Sequence, residues 1–262
     1  MKSATGEKGL SKVPKLTLLF WIIKIAATTL GETGGDAVSM SMNLGYLTGT
    51  AIFAAIFLVA VIVQIKAIRF HPIIYWSTII ATTTVGTTLA DYADRSLGIG
   101  YAGGASLLFC LLMGSLGIWY WSLGSVSVDT VSNPKSEIFY WVTIMFSQTL
   151  GTALGDWAAD TAGLGYRGGA LVFSLLLAVV VVLYYGTRIS RTFLFWAAFI
   201  LTRPLGAVVG DFLDKPIHSG GLAFSRYSTS AILLVFILSC IFIFPHRAAG
   251  AVSLAPQVPR AP

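Results

Sequence analysis

The chain has 262 residues, 56% of them hydrophobic and only 11% charged, and its mean hydropathy is +0.81. A soluble domain carries about 25% charged residues, so the composition excludes an ordinary soluble enzyme and indicates a polytopic membrane protein. The net charge of +6 fits Lys and Arg gathered on one membrane face, and no segment resembles a nucleic-acid-binding module.

Residues 1–14 read as a short, disordered cytoplasmic tail carrying Lys2, Lys8 and Lys12. A basic tail before an apolar run has the outward form of a signal peptide. Cleavage would remove Trp21, Gly31 and Asp36, so the run is kept as the first membrane helix, from about Lys15 to Asp36. Asn43-Leu44-Gly45-Tyr46 turns the chain, and a second helix spans about Gly49 to Ile65, ending in Lys66 and Arg69. Helices follow near Pro72–Asp91 and Gly104–Trp121, joined by Leu97-Gly98-Ile99-Gly100-Tyr101. A linker rich in Ser, Gly and Val covers about Ser122–Lys135. Two further pairs lie near Ile138–Asp156 and Gly169–Tyr185, then Phe193–Asp211 and Leu222–Phe244. The glycines beside Tyr46, Tyr101 and Tyr166 supply turn angles that other residues resist. Cys110 and Cys240 sit within apolar runs, which favours buried thiols over a disulfide.

One spacing organises all of this. Trp21, Gly31 and Asp36 recur as Trp76, Gly86, Asp91; as Trp141, Gly151, Asp156; and as Trp196, Gly206, Asp211, each tryptophan preceded by Phe20, Tyr75, Tyr140 or Phe195. Four copies in fixed register define a repeat protein. The expected organisation is a single transmembrane domain over residues 15–245, with repeats at about 15–70, 71–121, 136–190 and 191–245, and a Pro/Ala-rich cytoplasmic tail at 246–262.

Each run approaches the ~20 residues needed to cross a bilayer, giving an all-α membrane protein of eight transmembrane helices. Eleven cations fall in the tails and the loops between repeats: Lys2, Lys8, Lys12, Lys15, Lys66, Arg69, Lys135, Arg188, Arg191, Arg247 and Arg260. Four fall in the loops within repeats: Arg95, Arg167, Lys215 and Arg226. That imbalance puts both termini in the cytoplasm and makes the repeats parallel, packed as a pseudo-fourfold ring or as two pseudo-twofold halves. The tryptophans then lie near the inner interface, as anchors or as packing elements, and each aspartate lies about 22 Å further along its helix.

Counting back from each aspartate, position −4 holds Glu32, Thr87, Thr152 and Ala207; position −7 holds Thr29, Thr84, Thr149 and Pro204; position −8 holds Thr28, Thr83, Gln148 and Arg203. These offsets share one helical face. A lone threonine on such a helix bonds its own i−4 carbonyl; four aligned stripes point instead to a shared polar cavity. Pro204 is expected to kink its helix. Small pairs (Gly31 and Gly35, Gly86 and Ala90, Gly151 and Gly155, Gly206 and Gly210) let helices approach closely. Asp94, Asp160 and Asp214 read as solvated helix-end acids. Lys24 and Arg203 lie within the membrane, where an unpaired charge costs at least ~2.5 kcal/mol, so they read as internal counter-ions of the acids, structural or functional.

Four tandem repeats, each of two helices with one characteristic tryptophan, resemble a bacterial family of integral membrane proteins of unknown function. The resemblance covers about residues 15–245 and rests on Phe20-Trp21, Tyr75-Trp76, Tyr140-Trp141 and Phe195-Trp196 with their Gly and Asp partners. It implies a bacterial inner-membrane protein and supplies neither activity nor site residues.

The expected function is therefore drawn from the stripe. It is transport of a small cation, with export as the suspected direction, through a cavity lined by Glu32, Asp36, Asp91, Asp156, Asp211, Thr29, Thr84, Thr149 and Gln148. Oxygen ligands suit a hard divalent ion such as Mg²⁺ or Mn²⁺ as substrate, the four aspartates being its ligands; no resident cofactor is expected. Lys24 and Arg203 leave an anionic substrate open. The other readings are a scaffold or sensor without flux, and an aspartate-dependent intramembrane enzyme, which lacks motif support. The expected partners are lipid, the transported ion or solute and, in a homo-oligomer, further copies of the chain.

Overall fold

The computed structural model describes residues 11–250; the expectations for residues 1–10 and 251–262, including their disorder and cytoplasmic side, lie outside the described residues. Within this range the protein is all-α, with eight long helices and no strand among the described residues. They are α1 (Leu18–Asp36), α2 (Tyr46–Lys66), α3 (Pro72–Asp91), α4 (Tyr101–Leu123), α5 (Pro134–Asp156), α6 (Gly165–Gly186), α7 (Arg191–Asp214) and α8 (Arg226–Ile243).

The helix starts follow local chemistry. The Thr17 side chain accepts from the Phe20 amide and caps α1. Asn133 and Ser136 form a capping box ahead of α5, with Pro134 in the first turn, where a missing N–H costs nothing. The turn glycines take left-handed angles: φ is +77° at Gly45, +74° at Gly100 and +63° at Gly165. α8 begins later than expected, at Arg226 rather than Leu222, whereas α2, α4 and α6 begin earlier, because Gly49, Gly104 and Gly169 are not breakers. Each lies inside a first turn and is small because another element packs on it; at Gly169 an added Cβ would meet Val208 at 3.2 Å. Beyond the aspartates of repeats one to three the helix widens into a π turn (Ala37–Ser41, Tyr92–Ser96 and Trp157–Thr161), whereas α7 runs through Pro204 and on to Asp214.

The odd helices form a closed ring: α1 packs on α3, α3 on α5, α5 on α7, and α7 on α1. The even helices lie outside it, each on the next repeat's odd helix: α2 on α3, α4 on α5, α6 on α7, and α8 on α1. Glycines set the inner spacing. Gly31 receives Thr83, Gly86 the backbone of Gln148, Gly151 the side chain of Arg203, and Gly206 Thr28. Each glycine five residues before an aspartate thus seats the residue eight before the next one. At Gly86 an added Cβ would stand 3.0 Å from the backbone of Gln148 and Thr149, too close for any larger residue without moving a helix.

The aromatic residues close the same circle. Phe20 meets Trp76 at 5.4 Å, Tyr75 meets Trp141 at 5.8 Å, Tyr140 meets Trp196 at 6.3 Å and Phe195 meets Trp21 at 6.0 Å between ring centroids. Trp76, Trp141 and Trp196 are buried, so they are packing elements. All four odd helices begin at this aromatic end and carry their aspartates to the other, so they run in one direction.

Burial separates the two layers. The odd helices are buried through most of their length, while α2, α4, α6 and α8 expose apolar faces such as Ile52, Ile56, Val59 and Leu171, Leu175, Val179. A water-soluble monomer does not present apolar surface on this scale. Six helices (α2, α3 with its π turn, α4, α6, α7 and α8) are long and apolar enough to cross a membrane. The protein is a multi-pass membrane protein. Cys110 is exposed and Cys240 buried, and both are free thiols, so burial holds only for the second.

The tail expectation needs correction where it overlaps the structure. Ser11, Lys12, Val13 and Pro14 are buried, and Pro14 pairs with Ala248 in a β-bridge. These residues lie across the aromatic end rather than free of it.

Candidate functional site

Viewed in register, the odd helices contribute stacked layers of four residues. At −16 stand Phe20, Tyr75, Tyr140 and Phe195; at −12, Lys24, Ile79, Ile144 and Phe199; at −8, Thr28, Thr83, Gln148 and Arg203; at −4, Glu32, Thr87, Thr152 and Ala207; at zero, the aspartates. Every one of these side chains is buried. The layers pass from aromatic to apolar to polar to acidic along the bundle.

The aspartates Asp36, Asp91, Asp156 and Asp211 are at most 3% exposed and are gathered in two cation-bridged pairs. Arg95 lies 3.1 Å from Asp91 and 3.3 Å from Asp156. Lys215 lies 3.0 Å from Asp211 and also pairs with Asp36. Arg226 adds a bond of 2.9 Å to Asp214 and reaches Asp36 at 3.6 Å. The bridging cations come from repeats two and four, four residues after Asp91 and Asp211; the same step in repeats one and three falls on Met40 and Asp160. Burial works against the charge of Lys215, yet Asp211, Asp36 and Asp214 outweigh it and hold the ammonium well above the ordinary lysine range. Neither oxygen of Asp91 accepts a hydrogen bond among the described residues; charge alone holds it.

Two expectations change here. Asp94 and Asp214 are buried, not solvated, while Asp160 is exposed. The counter-ions of the aspartates are Arg95, Lys215 and Arg226, side chains assigned to loops on sequence grounds; their i+4 spacing from Asp91 and Asp211 is the signal that marks the first two.

Arg203 has a different partner. Its guanidinium donates to Glu32 at 3.0 Å, to the Thr87 hydroxyl at 2.7 Å, to the Thr83 carbonyl at 3.5 Å and to the Thr152 hydroxyl. One side chain from α7 thus ties α1, α3 and α5 together. Glu32 also accepts from Thr87 at 3.3 Å. Lys24 bonds only Gln148, at 3.4 Å, and sits 4.2 Å over the Phe199 ring; it meets no carboxylate among the described residues. Thr29, Thr84 and Thr149 donate to the i−4 carbonyls of Ile25, Ile80 and Met145 at 3.0, 2.8 and 2.9 Å. Their hydroxyls are spent within their own helices, so the −4 and −8 layers, not the −7 set, carry the interhelical polar contacts.

Asp36, Asp211 and Asp214 each offer an oxygen within 4.8 Å of the others. Three hard oxygen donors suit a cation, and the Lys215 ammonium bridges two of them.

The family comparison follows this repeat geometry. The description "Repeat of Unknown Function (DUF347)" matches residues 19–70, 74–125, 139–190 and 194–248. The chain belongs to the DUF347 family. Each matched DUF347 segment holds one odd helix and the even helix that follows it, although that even helix packs on the next repeat. No curated protein and no solved structure matches the chain.

Proposed function

We propose that this protein carries a small cation across a bacterial inner membrane, with the aspartate end as the binding mouth. In this reading all eight helices span the bilayer as four parallel repeats with both termini cytoplasmic. α1 and α5 are polar because the other helices shield them from lipid. The observation that carries the proposal is the gathering of buried carboxylates at one end. Asp36, Asp91, Asp94, Asp156, Asp211 and Asp214 converge there with three cations, Arg95, Lys215 and Arg226. Excess buried acid favours an incoming positive charge. A hard divalent ion such as Mn²⁺ or Mg²⁺ would compete with Lys215 for Asp36, Asp211 and Asp214, so the lysine acts as a built-in stand-in for cargo.

The test is flux into proteoliposomes across a panel of Mn²⁺, Mg²⁺, Na⁺, K⁺ and H⁺, with Asp156→Asn as the impaired control. Absence of flux for every ion sinks the reading. Orientation is checked separately by thiol labelling in intact cells: cysteines at Ser96 and Ser219 should react from outside and one at Ser127 should not. A second reading, a flux-free scaffold, is favoured by one observation: each of the four repeat aspartates is already in an ion pair. It predicts a bundle whose stability depends on those pairs and no ion movement.

A further inference from the structure

The segment Ser11–Lys15 crosses the aromatic end between two other stretches of chain. On one side the Lys12 amide donates to the Val131 carbonyl at 2.8 Å, and the Ser11 hydroxyl to the Val128 carbonyl at 2.6 Å. On the other side the Ala249 amide donates to the Val13 carbonyl at 2.7 Å, and the Lys15 amide to the Arg247 carbonyl at 2.8 Å. Val13, Val128 and Val131 join the apolar cluster that contains the aromatic ring.

The Lys12 side chain turns inward. It pairs with Glu137 at 2.6 Å and donates to the Ile65 carbonyl at 2.9 Å, at the end of α2. Terminal carbonyls of a helix lack intrahelical donors, and that end of the dipole favours a cation. Glu137 is 0% exposed, with Lys12 as its cationic partner among the described residues. The repeat does not account for this carboxylate: nineteen residues before the other aspartates stand Thr17, Pro72 and Thr192. Its position makes sense as a seat for Lys12.

Resting on the transport reading above, we infer that Ser11–Lys15 is a latch that seals the aromatic end, with Glu137 as its seat, and lifts when cargo passes. A carrier must open its two ends in turn. The ring of odd helices is held at four glycine seats, and the strap packs on the aromatic cluster at its end. The strap is held by hydrogen bonds, one ion pair and the buried Val13 side chain, so it can open locally at lower cost than the ring.

The test uses the full chain in proteoliposomes, with Mn²⁺ entry read by an entrapped quenchable dye and strap opening read by amide hydrogen exchange. Lys12→Met and Glu137→Gln should each speed exchange at the Lys12 and Ala249 amides about tenfold while leaving the central helices protected. Both should raise Mn²⁺ flux by about threefold or more, and the double variant should add little, as expected of two residues acting through one contact. Ser11→Ala, which removes two hydrogen bonds, one to the Val128 carbonyl and one from the Val13 amide, and no charge, should move both readings the same way by less and keeps the test open if a charge variant does not fold. Unchanged exchange, or faster exchange with unchanged flux, overturns the latch. If parent and variants alike carry no ion, the transport reading falls and the gate with it. In that case faster exchange in the variants still reports a strap that opens, which tells this failure from the other.

Discussion

The two ends of the bundle are closed by different means. At the aromatic end the closure repeats fully: each Phe or Tyr meets the tryptophan of the next repeat, four times around, at 5.4 to 6.3 Å. At the aspartate end it repeats only twice, because the bridging cation exists in repeats two and four and reaches the aspartates of repeats three and one. Packing tolerates fourfold repetition, since the same ring fits the same groove everywhere. Four carboxylates drawn together do not, because like charges in a reduced dielectric repel. Alternate cations lower that repulsion and leave the structure with two unlike kinds of repeat. Between the ends, Arg203 on α7 bonds side chains or backbone of α1, α3 and α5 and so joins all four central helices.

The comparison can be broken hardest at its centre. Arg203→Met removes the cation from a fully buried pair and strands Glu32, which should cost about 3–5 kcal/mol; loss of folded protein, or a large drop in melting temperature in detergent, is expected. Adding Glu32→Gln to it should recover part of the loss, and a fully additive double variant would show that the two residues are not coupled. Next in size are the glycine seats. Leucine at Gly151 or Gly206 must displace Arg203 or Thr28, and overpacking of about 1–3 kcal/mol or more should lower the folded yield. Variants that melt like the parent would refute close packing of the ring.

Changes at the aspartate end should spare the fold and alter function. Asp156→Asn leaves Arg95 its pair with Asp91, so a stability change under about 2 kcal/mol is expected, with Mn²⁺ flux reduced about tenfold. Equal loss of fold and flux would make these aspartates structural. The smallest effect concerns pH. The folded pKa of Lys215 is raised, so its contribution is complete below the unfolded value of about 10.4 and fades only as pH rises through the folded one. Comparing melting profiles of the parent and Lys215→Met between pH 6 and pH 9 should give a constant difference; a gap that closes within this range would contradict a lysine held charged by Asp36, Asp211 and Asp214.

Much of this was legible in the repeat. The Trp–Gly–Asp register locates the odd helices, their polar faces and the glycine seats, because each obeys the 3.6-residue period and recurs four times. The cations that matter were harder to read. Arg95 and Lys215 lie beyond the residue where the apolar run ends, so composition assigns them to loops. A π turn after Asp91 and the extra turn of α7 carry them back over the acids instead. The choice of each even helix for the next repeat was not readable either, since its apolar faces would serve on either neighbour. The seat of Lys12 depends on Glu137, 125 residues away, and no local pattern connects them.

That choice of neighbour has a consequence for synthesis. Because α8 covers α1, the flank of the first helix stays bare until the last helix has been made, and Asp36 waits for both Lys215 and Arg226. The chain is a necklace whose clasp joins Val13 to Ala249. Its helices have a cyclic order rather than a first and a last. A permutant opened in the linker between α4 and α5 and joined at the clasp would keep every ring contact while changing which helix must wait.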